Sequence, residues 1–167
     1  MSSSLVASFE RLTEMIGVAG PEQRGRVDAV AIERFARASG ETDPVYFSDD
    51  AARLAGYGGR PAPPLMLSSV LDWAGGPALG DLRADGSGAG RESWLPLDGL
   101  RLMGGGQSLT FHHPVLADAE FAGSPRLTDV VLKQGSTGDL ILLTISTDFV
   151  DAAEQPLVSV TETLIGR

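Results

Sequence analysis

The chain has 167 residues, enough for one domain with a genuine core and short for two. Apolar residues make up 43% and charged residues 21%, which excludes a disordered tail protein. The net charge of −9 repels nucleic acid, and the absence of cysteine excludes a disulfide framework, a thiol nucleophile and a zinc–thiolate site. The opening residues Met1-Ser2-Ser3-Ser4-Leu5 lack a basic segment and reach Glu10 before an apolar run forms. No run approaches the ~18 apolar residues of a membrane span. The expectation is a soluble cytoplasmic protein with neither nucleic acid nor membrane as partner.

Leu5, Phe9, Leu12 and Met15/Ile16 recur at helical spacing after Ser4, a good N-cap, and the stretch from Gly17 to Gly25 ends that helix. Asp28 caps a second helix with Ile32, Phe35 and Ala36 on one face and Gly40 just past its end. Ser48-Asp49-Asp50 opens a short third helix through Leu54, its carboxylates at the end the helix dipole favours, and Gly56 stops it. Pro63-Pro64 precedes a run from Leu65 to Ala74 that carries one charge, so residues 64–74 read as a central, mostly buried helix. Residues 75–99 are rich in Gly, Asp and Pro and read as a long surface loop.

From Gln107 the period changes to two. Residues 107–113, 120–133, 139–150 and 157–165 read as strands joined by turns at 135–138 and 152–156, which makes an antiparallel meander. Strands this long imply strong twist and curvature. A curved sheet and one nearly all-apolar helix fit together if the sheet wraps the helix. The fold class expected is α+β, a single hot-dog domain over residues 1–167, with 1–25 as an N-terminal helical extension.

Taken alone, Glu41-Thr42-Asp43-Pro44 reads as an acidic turn after a helix, and Tyr46 as a packed aromatic. His112 and His113, the two histidines, are neighbours on a strand and face opposite ways, so they cannot chelate one metal together. Hydrogen bonding at a strand end is their plainest role. Gly104-Gly105-Gly106 lacks the Lys-Ser/Thr of a phosphate loop and runs into a strand, which points to a bulge or close backbone packing.

Three stretches together carry a resemblance. They are Val30 to Tyr46 with Ala51-Ala52 and Gly56-Tyr57-Gly58-Gly59-Arg60-Pro61-Ala62-Pro63-Pro64, then Gly105 to Val115, and finally Leu157-Val158 with Thr163 to Arg167. Over residues 26–167 the chain resembles MaoC-like acyl dehydratases and (R)-specific enoyl-CoA hydratases, in particular the N-terminal type of MaoC domain. The resemblance implies a hot-dog fold and an acyl thioester carried by CoA or an acyl-carrier protein. The implied reaction is hydration or dehydration of a 2-enoyl or 3-hydroxyacyl thioester, and it needs no cofactor.

That chemistry uses a carboxylate five residues before an imidazole, with Asn-Pro between them. Here the carboxylate position falls on Glu41, the Asn position on Asp43 and the imidazole position on Tyr46, while Pro44 matches. The resemblance thus implies Glu41 and Tyr46 as catalytic, with Asp43 and Pro44 at the substrate. It also implies that the N-terminus of the central helix offers backbone N–H groups to the thioester oxygen. Pro63 and Pro64 have none to give, which leaves those of Leu65 and Met66. His112 matches a residue usual in the family, and His113 stands where Arg is common; His112 is the alternative catalytic group. Domains of this type act as homodimers or with a related subunit, which leaves three readings open. The chain is a catalyst, a non-catalytic partner that shapes the acyl tunnel, or a homodimer adding an amine in place of water.

Overall fold

A computed structural model describes residues 3–67, 79–81, 92–135 and 138–167. Helix α1 spans Ser3–Thr13 and strand β1 Gln23–Arg26; helix α2 (Ala29–Ser39) and helix α3 (Asp49–Leu54) follow. The second half supplies strands β2 (Leu102–Phe111), β3 (Glu120–Gly123), β4 (Arg126–Gly135), β5 (Gly138–Asp151) and β6 (Pro156–Gly166). All pairings among the described residues are antiparallel. The order is β1-β3-β5-β6-β2, and β4 continues along the same edge of β5 as β3.

The helix caps are local consequences of sequence. The Asp28 carboxylate accepts from the N–H groups of Val30 and Ala31 at the start of α2. At its end Gly40 takes φ 78°, the left-handed conformation, and the N–H of Glu41 closes onto Ala36 O. Ser48 caps α3 by accepting from Ala51 N.

Two expected strand limits move. The segment 120–133 is not one strand but β3 and β4, interrupted at Ser124-Pro125, because Pro125 has no N–H for the ladder. Strand β2 begins at Leu102 rather than Gln107 and includes the glycine triplet, where the register slips between Gly104 and Gly106. Gly106 has φ 141°, and a Cβ on Gly105 would stand 3.0 Å from Thr163 O, so the triplet is a bulge that few other side chains could enter. Strand β1 lies inside the stretch read as a helix terminator. Its sequence, Gln-Arg-Gly-Arg, carries no apolar alternation, and pairing with β3 alone makes it a strand.

One face of the sheet carries the core, in two clusters. Ile141, Leu143 and Ile145 of β5 with Leu164 of β6 pack under Leu5 and Leu12 of α1, so the first helix is part of the core. Phe149, Val158 and Val160 pack with Val27, Ile32, Met66 and Leu67. Within the long segment 75–99 only 79–81 and 92–99 are described. Leu95 there is buried in the first cluster, so this end of the expected surface loop is core. Residues 68–74 of the expected central helix lie outside the described residues; its first turn ends with Met66 and Leu67 buried.

Candidate functional site

A cavity of about 330 Å3 opens where the second core cluster meets the end of β2. Its walls are Tyr46, Tyr57, the Pro61–Pro64 segment and Leu67 on one side, and Phe111 to Val115 with Val158 on the other. Each wall has a local cause. Asp43 accepts from Val45 N and starts a single 3-10 turn, Pro44–Tyr46, which turns Tyr46 inward. Arg60, its side chain largely buried, reaches Asp49 at the start of α3 (3.3 Å) and Ala29 O at the start of α2 (3.5 Å). The chain then runs beside 115–117, with Ala62 N donating to Val115 O at 2.7 Å and Ala117 N to Arg60 O at 2.8 Å.

The lining is apolar with a few convergent polar groups, the composition expected of a small-molecule site. Those groups are the phenols of Tyr46 and Tyr57 and two histidines. Burial pushes the Tyr46 phenol above its ordinary value, and the charges of Glu41, Asp43 and Tyr57 push it the same way. At neutral pH Tyr46 therefore keeps its proton and can donate a hydrogen bond. A larger hollow of about 510 Å3 lies along β1 and β3. Its rim is charged side chains, and two of them, Arg24 and Glu22, already pair with each other. The smaller cavity is the better candidate on chemistry.

The sequence-derived residues separate here. Glu41, Asp43 and Tyr46 stand close enough for both carboxylates to act on the phenol, yet only Tyr46 lines the cavity; Glu41, Asp43 and Pro44 are exposed beside it. Glu41 is held by the end of α2 and Asp43 by its capping bond. Met66 does not offer its N–H to a ligand: that group donates to Pro63 O at 3.0 Å, and the side chain is fully buried in the core. Leu65 is 55% exposed; its neighbours Pro64 and Leu67 form the wall.

Both histidines line the cavity and are anchored to β6 by their rings. His112 Nε2 lies 2.9 Å from Ser159 Oγ, and Ser159 donates to Asp148 Oδ1 at 2.5 Å. His113 Nδ1 lies 2.8 Å from Pro156 O. Nothing in the sequence marks Tyr57 or Phe111 as wall residues beyond their place beside the glycines and at the strand end. Nothing local marked Ser159 and Asp148, which meet only through the β5–β6 register.

The model of the FAS1-like, dehydratase domain region matches residues 14–160. The chain belongs to this family. A curated relative from Clavibacter michiganensis subsp. michiganensis, described as a UPF0336 protein, is 28% identical over 159 residues, covering 88% of this chain and 95% of that one. Among solved structures, the chain is similar to one in the ChsH1–ChsH2 complex from Mycobacterium tuberculosis. There the TM-score is 0.73 at 21% identity, over 98% of this chain and 90% of that one. It is also similar to a chain of the (3R)-hydroxyacyl-ACP dehydratase complex HadBC from the same organism, with a TM-score of 0.68 at 20% identity over 93% and 99% of the two chains. At such identities the likeness is one of fold, and the fold is hot-dog, as in MaoC-like dehydratases.

Proposed function

We propose that this FAS1-like dehydratase-region protein is a cytoplasmic subunit of a hot-dog dimer that hydrates or dehydrates acyl thioesters, the 2-enoyl and 3-hydroxyacyl forms being substrate and product. The observation that carries this reading is the cavity. It is an apolar pocket with two tyrosines and two histidines among its lining residues, beside the 41–46 segment and at the end of a ten-residue edge strand. An apolar wall suits an acyl chain, and the polar groups suit the moving proton and the polarised thioester oxygen.

A second reading has its own support. Glu41 stands off the cavity, Tyr46 replaces an imidazole, and the relatives ChsH1–ChsH2 and HadBC are complexes of two different chains. In that reading a related subunit brings the carboxylate and this chain shapes the acyl tunnel. The test is a hydration assay with 2-enoyl-CoA of increasing chain length, on the purified chain alone and mixed with a related hot-dog subunit. The proposal expects water addition by one of these, saturable in thioester. Absence of both turnover and thioester binding in every combination overturns it.

A further inference from the structure

The hydrogen bonds of the two histidines assign their protons. Pro156 O can only accept, so His113 Nδ1 carries the hydrogen in the neutral ring and Nε2 keeps a lone pair. Ser159 has one hydroxyl hydrogen and spends it on the Asp148 carboxylate, so His112 Nε2 must donate to Ser159 Oγ. The adjacent rings are therefore opposite tautomers.

They are also anchored differently, His112 to a side chain and His113 to a main-chain carbonyl. Val158 and Val160, on either side of Ser159, are buried in the core, and so is Phe149 beside Asp148. Side chains alternate along a strand, so Ser159 and Asp148, which are register partners, project from the opposite face. The ring of His112 is held on that face. His113 is tied instead to the first residue of β6, next to the cavity wall formed by Phe111, Pro114 and Val158.

We infer that His113, rather than either residue of the 41–46 motif, supplies the proton acceptor of this cavity, with its Nε2 as the basic atom. The inference rests on the proposed thioester chemistry. As the water oxygen bonds to C3 of the 2-enoyl thioester, one water proton passes to His113 Nε2 and the C2–C3 π pair shifts to C2, stabilised as the thioester enolate. The imidazolium then returns that proton to C2. The ring ends neutral, and the substrate has gained one water. Tyr46, a phenol that stays protonated, is placed to donate to the enolate oxygen. The Pro156 carbonyl is the orienting group, since it holds the tautomer that leaves Nε2 free.

Two measurements on the full chain decide. The first is the nitrogen-15 spectrum of the imidazole rings at about pH 8, where an unperturbed imidazole is neutral. His113, assigned by its loss in a variant, should carry its proton on Nδ1 and His112 on Nε2. The second is hydration of a 2-enoyl-CoA by the active form of the protein, homodimer or pair. His113→Asn keeps an amide donor near the Nδ1 position for Pro156 O but has no basic nitrogen. It should fold, bind the thioester as the wild type does by calorimetry, and turn it over about 100-fold or more slowly. A His113 protonated on Nε2, a His113→Asn chain within about threefold of wild-type turnover, or a wild-type protein that binds the thioester without turning it over would each refute the role of His113 alone. A protein that binds no 2-enoyl thioester would refute the functional reading, and this role with it.

Discussion

Tyr46 sits where a titrating imidazole would be expected, and its surroundings make it a poor acid. Burial and the neighbouring carboxylates raise its folded value above the unfolded value of 10.0. The stability that this difference contributes is full below the unfolded value and is lost as pH rises through the folded one. Urea midpoints taken from about pH 8 to 11 should therefore fall more steeply for the wild type than for Tyr46→Phe above the ordinary tyrosine pKa of about 10. Parallel curves would mean that the phenol is free. Arg60 makes a different kind of contribution, since its guanidinium joins the starts of α2 and α3. Arg60→Met keeps the aliphatic bulk and removes the donors. A loss of about 1–3 kcal/mol in denaturant unfolding is expected, because Ala29 O and Asp49 lose a charged partner.

At the scale of elements, α2 is the most locally determined piece, with a capping carboxylate at one end and a left-handed glycine at the other. Asp28→Ala should cost about 1 kcal/mol of stability, read as a lower urea midpoint with an unchanged slope. Strand pairing is fixed from further away. A Cβ on Gly25 of β1 would come 2.5 Å from the ring of Phe121 in β3, and that ring meets Phe149 of β5 edge-on at 5.9 Å. Gly25→Ala should cost about 1–3 kcal/mol by overpacking, and the loss of β1 protection should be visible in amide exchange. Sequence reading found α2 and α3 because their signals lie within a turn of each helix. It does not mark β1, a short strand without apolar alternation whose partner lies about a hundred residues away, and it runs β3 and β4 together because their apolar pattern continues across Pro125.

At the scale of the whole molecule β2 forms an edge of the sheet, since among the described residues it pairs only with β6. His112 N donates to Leu157 O, so by the antiparallel alternation the N–H groups of Gln107, Leu109 and Phe111 point away from β6. A long exposed edge invites a second strand. Light scattering should give twice the 17.4 kDa chain mass for a homodimer, or a pair with a related subunit. Gln107→Pro removes one outward donor without touching the β6 ladder, and it should shift the protein toward monomer while leaving its thermal midpoint within a few degrees. A variant that stays fully dimeric would place the interface elsewhere.

The amino-acid sequence by itself determined the α2 and α3 caps, the extended character of the second half, the turn before β6 and the position of the 41–46 motif. Each of these is a local choice of backbone conformation or of apolar periodicity, and a local choice can be read from neighbouring residues. Only the tertiary structure decided that Glu41 stands outside the cavity while Tyr46 lines it, and that the N–H of Met66 is already spent on Pro63 O. It alone brought Asp148 and Ser159 to His112, and Pro156 to His113. Those contacts depend on strand register, and register follows from core packing over the whole sheet. A shift of one residue would turn each of these side chains to the other face.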